Sequence, residues 1–183
     1  MKQPFTIKHD QINGKFTMSQ ARPEDTEAIM ALLLEIAEWL RSKGSSQWKG
    51  LLEGHDSHDT AGAIRRGDVF ICKFEEDVAG TVLLLREQSD WDNKLWGSNA
   101  HHEDQAIYLH RLAVKRKYAN TGLGQAILQW CDSGIRFDEK KIVRLDCIAN
   151  SLLLNNFYSQ NGYAYKGEKD GFSLYEKPVA LVD

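Results

Sequence analysis

A chain of 183 residues, 42% of them apolar, is long enough for one compact domain with a real core, and a net charge of −3 provides no global basic field for nucleic acid. No apolar stretch approaches the length of a membrane span, and the opening MKQPFTIKHD has no apolar leader core. Cys72, Cys131 and Cys147 lack disulfide or metal spacing and sit in apolar patterns, which reads as buried free thiols in a reduced, cytoplasmic, soluble protein.

In chain order, an opening hairpin is expected between FTIKHDQI and KFTMSQ, with Asn13-Gly14 as its turn. RPEDTEAIMALLLEIAEWLRSKG then reads as a helix. Pro23 suits a first helical position, Glu24 and Asp25 favour the positive end of the dipole, and Gly44 supplies the stop. Its apolar stripe is Ile29, Leu32, Leu33, Ile36 and Leu40. HDTAGAIRRG predicts a second, shorter helix, and DVFICKF and VAGTVLLLREQ predict two strands joined by the acidic turn Glu75-Glu76-Asp77. The polar stretch SDWDNKLWGSNAHHEDQ reads as a long loop. AIYLHRLAV is the next strand, followed by a helix through GLGQAILQWCDSGIRF with Leu123, Ile127, Trp130 and Cys131 on one face. IVRLDCIA is a strand, SLLLNNFYSQNG a short helix, and YAYKGE and FSLYEKPV are strands about the turn Asp170-Gly171. Hairpins give antiparallel pairs and the β-α-β crossover a parallel one, so the sheet is mixed. No repeat or linker interrupts the pattern, and residues 1–183 read as a single domain.

The stretch KYANTGLG, residues 117–124, lies where a strand gives way to a helix. Gly122 and Gly124 allow positive φ and a close approach of backbone N–H groups to an anion, and the following helix adds its own unpaired N–H groups. Asn120 tolerates left-handed geometry, Thr121 carries a hydroxyl donor, and Lys115, Arg116 and Lys117 precede the loop. A bare strand-to-helix turn is the competing reading. A Walker loop is ruled out because no G-x-x-x-x-G-K-S/T exists in the chain. A Rossmann fingerprint needs a small residue where Ile127 stands.

LHRLAVKRKYANTGLGQAIL followed by RLDCIANSLLLNNFYSQNGY resembles the GCN5-related N-acetyltransferases (GNAT family). The family signature, Gln/Arg-x-x-Gly-x-Gly/Ala, falls on Ala119 to Gly124, with both glycines kept and Ala119 in place of the Gln or Arg. Its second motif, a short helix ending in Phe-Tyr with Gly-Tyr four residues later, is met by Phe157-Tyr158 and Gly162-Tyr163. TMSQARPEDTEAIMALL is similar to the family's first strand and helix, and the element order agrees over nearly the whole chain.

The resemblance implies an α/β fold with a central, mostly antiparallel twisted sheet, one splayed parallel strand pair and flanking helices. It implies acetyl-CoA as acyl donor and a primary amine of a small molecule or peptide as acceptor, joined by direct attack in a ternary complex. Leu112, Ala113 and Val114 would meet the pantetheine arm, with a backbone N–H near Val114 polarising the thioester oxygen. Asn120, Thr121, Gly122, Leu123 and Gly124, aided by Lys117, would hold the pyrophosphate. Tyr158 takes the place of the tyrosine that protonates the departing thiolate. The asparagine many members carry seven residues earlier falls on Ser151 here, with Asn150 beside it, and Asn155 completes the cofactor-binding set.

An amine acceptor must lose a proton, and the candidate acceptors of that proton are Glu103, Asp104, His110 and Asp146, of which His110 and Asp146 lie on the two strands flanking the cleft. Alternation along YLHRLAV puts Tyr108, His110 and Leu112 on one face. Trp39 and Trp48 would either border the acceptor pocket or anchor the core. HDSHD (55–59) and HHED (101–104) invite a metal reading, with His55 and His58 spaced for a helical chelate. Asp56 or Ser57 reads more simply as an N-cap, and no metal is expected. Nucleic acid and membrane are not expected partners, and a homodimer is left open. The rival class is a catalytically silent acyl-CoA-binding module, which Ala119 favours and Tyr158 opposes.

Overall fold

The computed structural model describes residues 3–97 and 104–180. Its strands are β1 (Phe5–Ile7), β2 (Gln11–Ile12), β3 (Phe16–Gln20), β4 (Val69–Phe74), β5 (Asp77–Leu85), β6 (Ala106–Val114), β7 (Ile135–Phe137), β8 (Ile142–Ile148), β9 (Ala164–Lys169) and β10 (Phe172–Pro178). Its α-helices are α1 (Thr26–Ser42), α2 (Lys49–Leu52), α3 (Thr60–Arg66), α4 (Asp90–Trp96), α5 (Leu123–Ser133) and α6 (Leu152–Gln160). The chain forms two compact units, one of Gln11–Leu83 with Arg111–Ile127, the other of Met1–Asp10, Leu84–His110 and Leu128–Asp183.

In the unit that begins at Gln11, β2 to β5 pair antiparallel in chain order. The Asn13-Gly14 turn forms as expected, with φ of 47° and 74°, values that suit asparagine and glycine. Pro23–Asp25 makes a 3-10 turn that leads into α1, whose Ile29 and Leu33 are fully buried against Ile64, Val69, Ile71 and Leu83. At about 1.5–3 kcal/mol for each aliphatic side chain removed from water, this stripe fixes α1 on the sheet. Gly80 on β5 is required by crowding: a Cβ there would lie 3.0 Å from the Ala113 carbonyl oxygen and 2.7 Å from Ile127 Cδ1.

In the other unit, β8, β10 and β9 pair antiparallel, and β6 pairs parallel with β8. That parallel ladder covers Ala106, Ile107 and Tyr108 only, although β8 runs four residues further, to Ile148. A mostly antiparallel sheet with one short parallel pair and flanking helices is the expected fold class. The buried Trp130 of α5 donates its indole N–H to the His9 carbonyl at 2.7 Å, and β1 pairs with β7. No helix among the described residues is long and apolar enough to cross a membrane.

Three expectations from the sequence are corrected. FTIKHDQI is two strands: β1 pairs with β7, and only β2 joins the hairpin. The helix that begins at Leu123 stops at Ser133, because Gly134 breaks it and Ile135–Phe137 turns into β7. The stretch read as a loop contains α4, nucleated by a capping box in which Ser89 and Asp92 satisfy each other's backbone N–H groups. Of its remaining residues, 98–103 fall outside the described ones.

Candidate active site

The loop after β6 is anchored from within its own unit. Lys115 donates its N–H to the Ala79 carbonyl at 2.8 Å and its ammonium to Asp77 at 2.6 Å. Tyr118 donates its hydroxyl to the same carboxylate at 2.8 Å, while its ring packs edge-on to Phe16 and Phe74. The hydrogen bonds from Lys115 and Tyr118 hold the Asp77 carboxyl below the usual carboxylate range. Lys117 also faces Asp77, at 3.6 Å, and is largely exposed. Arg116 lies over the Trp39 ring at 4.0 Å, so Trp39 is a stacking partner of that guanidinium, and Trp48 packs on the core beneath α1.

Beyond this anchor the chain turns outward. Asn120 has φ 59° and Gly122 φ 79°, so asparagine does stand in a left-handed position. Thr121 donates its hydroxyl to the Tyr118 carbonyl at 2.6 Å, which places that donor inside the loop. Asn120, Thr121 and Gly122 are exposed, Leu123 is buried, and Gly124 lies in ordinary contact with Val114. Among the described residues, no backbone carbonyl accepts the N–H groups of Asn120 to Gln125, and a Cβ on Gly122 would meet open space. Six consecutive amides around the start of α5 are thus available to an anion.

On β6, Arg111 has φ 51°, which interrupts the pleat, so the regular alternation read along YLHRLAV does not continue past it. Its buried guanidinium pairs with Asp56 and donates to Thr60 Oγ1 at 3.1 Å. Asp56 also accepts the N–H of Thr60 at 2.7 Å and of His58 at 3.3 Å. The N-cap of α3 is Asp59, whose side chain accepts from Gly62, rather than Asp56 or Ser57. His55 and His58 precede the helix and are not spaced along it. Burial acts to raise Asp56, but the Thr60 and Arg111 hydrogen bonds outweigh it and hold the carboxyl low. A depressed carboxyl stabilises the fold above its unfolded value near ~3.9 and ceases to do so as pH falls through its folded value. The stability lost in Asp56→Asn should therefore shrink as pH drops from about 5 toward 2, as followed by denaturant titration across that range.

In the other unit, α6 presents Tyr158. Ser151 caps the helix by accepting the Leu154 N–H at 3.3 Å, and Asn150 is exposed. Asn155 donates to the carbonyls of Ile148, Ala149 and Ser151 and accepts the Tyr175 hydroxyl at 2.7 Å, so its amide ties the end of β8 to α6. The Tyr158 ring packs among Phe157, Tyr163 and Tyr175 at 5.2, 6.1 and 5.9 Å and is only 8% exposed. Its hydroxyl has no hydrogen-bond partner among the described residues. Burial first, then the charges of Cys147 and Asp146, push the phenol well above its ordinary value, so it is a proton donor throughout the physiological range.

The same unit holds a carboxylate–imidazole cluster. His110 Nε2 lies 2.9 Å from Asp92 Oδ1, and Asp92 also accepts the N–H and hydroxyl of Ser89 at 3.0 and 2.8 Å. Burial tends to raise Asp92, yet the His110 and Ser89 contacts keep it ionised below the usual range. Asp146 takes the Trp91 indole N–H at 3.2 Å on both oxygens, and burial raises its carboxyl against the opposing charge of His110. One ligand atom from each of Asp92, His110 and Asp146 falls within 4.8 Å of the others. His110 and Asp146 were candidate bases from the sequence, whereas Asp92 arrives on the helix read as a loop. Its signal was the Ser-x-x-Asp pattern at Ser89–Asp92. Asp104 caps β6, accepting the Ala106 N–H and the Tyr108 hydroxyl at 3.0 Å each, and Glu103 lies outside the described residues. The three cysteines are free and buried.

A mixed sheet with a short parallel pair, an open amide loop before a helix and a buried tyrosine at the end of another are the features that the GNAT resemblance implies. Residues 65–165 match the family model of the acetyltransferase (GNAT) domain. The chain is 47% identical over 176 residues to the uncharacterized N-acetyltransferase YesJ of Bacillus subtilis (strain 168), covering 96% of this chain and 97% of that one. The chain belongs to the GNAT family. A GNAT-family acetyltransferase of Listeria monocytogenes superposes with a TM-score of 0.72 at 32% identity, covering 92% of this chain and 98% of that one. The PaiA N-acetyltransferase of Thermoplasma acidophilum, solved in complex with coenzyme A, superposes at 0.66 with 15% identity, covering 90% and 99%.

Proposed function

We propose that the chain is a single N-acetyltransferase domain, residues 1–183, that moves an acetyl group from acetyl-CoA to a primary amine by direct attack. The observation that carries this reading is Tyr158: its ring is packed at the end of α6, burial keeps its phenol protonated, and its hydroxyl has no hydrogen-bond partner among the described residues. Unlike the Tyr163 hydroxyl, which is sealed in the core without a partner, the Tyr158 hydroxyl is not among the buried unpaired oxygens and is open to a ligand. The family resemblance gives that proton a destination, the CoA thiolate.

The loop amides from Asn120 to Gly124 support the donor side of the reading. They carry the partial positive charge a pyrophosphate needs, with the α5 dipole behind them and Lys117 nearby. Leu112 to Val114 offer backbone groups to the pantetheine arm, and the N–H near Val114 polarises the thioester carbonyl. Asn150 and Ser151 contribute polar contacts at the start of α6, while Asn155 acts by holding that start against β8. The side-chain contact that a Gln or Arg would make is omitted at Ala119, so affinity rests on the amides. Three free, buried thiols suit a reducing, cytoplasmic setting.

The test is thiol release from acetyl-CoA in the presence of polyamines, aminoglycosides, amino acids and peptide N-termini. At least one amine class should raise the rate above the amine-free background. Binding of CoA with no amine-dependent release would favour the silent acyl-CoA-binding module.

A further inference from the structure

Among the described residues, Asp146 has no lysine or arginine partner. Its carboxylate is partly exposed on β8, and its two oxygens share one donor, the Trp91 indole N–H, at 3.2 Å each. An ionised carboxylate can accept about four hydrogen bonds. Other acids of the same unit are better served: Asp92 receives Ser89 and His110, Glu176 pairs with Arg144 at 2.9 Å, and Asp132 pairs with Lys177 at 2.6 Å. Asp146 has His110 as its basic neighbour, a ring nitrogen of which lies within 4.8 Å of the carboxylate. Beside it stands an aromatic wall, Trp91 packed edge-to-face on Phe172 at 4.8 Å. That wall already receives an alkylammonium, since Lys94 Nζ lies 5.7 Å from the Trp91 ring centre.

We propose that Asp146 anchors the ammonium form of the acceptor, with Trp91 and Phe172 as its aromatic wall and the Asp92–His110 pair carrying away its proton. The acceptor class is then an alkylammonium rather than an amine already neutral at working pH. This rests on the acetyltransferase reading and narrows it.

The protons balance as follows. One proton of R–NH3⁺ passes to the Asp146 carboxylate, which frees the nitrogen lone pair to attack the thioester carbonyl carbon. A C–N bond forms as the carbonyl pair moves to oxygen. When that pair returns, the C–S bond breaks with its electrons on sulfur. Tyr158 gives its phenolic proton to the thiolate, and the second proton shed by the nitrogen restores the phenol. Asp146 passes its proton through His110 to water, so R–NH3⁺ and thioester yield amide, thiol and one H⁺. Asp92 touches no reacting atom. It is a positioning residue that holds His110 through Nε2.

The full chain is assayed with acetyl-CoA and three probes: butylamine and 1,4-diaminobutane, which are ammonium ions near neutral pH, and aniline, which is not. The wild type should prefer the first two. Asp146→Asn should lower kcat/KM for them about 100-fold, with KM raised and CoA binding unchanged. Asp92→Asn should lower kcat about tenfold at unchanged KM, the split expected of a positioning residue. Should Asp146→Asn fail to fold, Trp91→Leu should raise KM for butylamine about 2- to 5-fold, the worth of a cation–π contact. Preference for aniline, wild-type kinetics in Asp146→Asn, or an unchanged KM in Trp91→Leu would each overturn the proposal while leaving the acetyltransferase reading intact. So would activity lost in EDTA and restored by a divalent ion, because the missing cation would then be a metal. A wild type that binds CoA and acetylates no amine would remove both.

Discussion

Replacing Tyr158 with phenylalanine should lower kcat by about 100-fold or more, with folding stability unchanged within about 0.5 kcal/mol. The substitution removes one oxygen and keeps the ring that packs among Phe157, Tyr163 and Tyr175. Because the hydroxyl has no partner among the described residues, no hydrogen bond is lost on the protein side. The hydroxyl is not one of the buried unpaired oxygens, so its removal relieves no desolvation cost either. The catalytic consequence is large. Without a positioned acid the CoA sulfur must leave as a free thiolate, whose conjugate acid has a pKa near ~8.5, into a site where burial penalises charge. Steady-state thiol release and thermal unfolding on the same preparation separate the two effects. A purely packing tyrosine predicts wild-type kcat. A hydrogen-bonded tip predicts a stability loss of about 1 kcal/mol.

What was legible in the sequence follows how local each determinant is. The stripe of α1 and the Asn13-Gly14 turn are set by residues within a few positions of one another, and both form as read. The turn at residues 117–124 was legible for the same reason, down to Asn120 in a left-handed position. The Thr121 hydroxyl, expected to face a phosphate, donates to the Tyr118 carbonyl three residues away, because a short turn lets a hydroxyl bond its own backbone. The distant contacts were out of reach. Arg111 meets Asp56 across 55 positions, and His110 meets Asp92 across 18. Neither pairing leaves a periodic trace. Arg111 also breaks the period-2 rule at the very strand where alternation was used to sort residues by face. The helix carrying Trp91 and Asp92 was hidden by its polar composition, since its seven residues bury only Asp92 and Leu95 and show almost no apolar stripe. Its one local signal is the capping box of Ser89 and Asp92. Tyr158 is singled out only by the family motif, because nothing in SLLLNNFYSQNG distinguishes an acid from a core aromatic.

Gly122→Val should raise the dissociation constant for CoA about 100-fold or more while costing the fold only about 1–3 kcal/mol. The fold cost is conformational: φ is 79° at this position, where a β-branched residue is strained. It is not steric, because a Cβ here meets no atom within 4 Å. That same empty space is where a pyrophosphate must lie if the loop amides bind it, and the two added methyl groups would occupy it. Losing even two charge-assisted hydrogen bonds of about 1.5–3 kcal/mol each removes about 3–6 kcal/mol, which exceeds a hundredfold in affinity. Isothermal titration with CoA and denaturant unfolding of the same variant give both numbers. Dephospho-CoA should suffer the same loss, since it retains the pyrophosphate, whereas pantetheine alone should bind wild type and variant alike. A variant that loses stability and affinity in equal measure, or that weakens pantetheine as much as CoA, would make the turn a structural corner with no part in holding the donor.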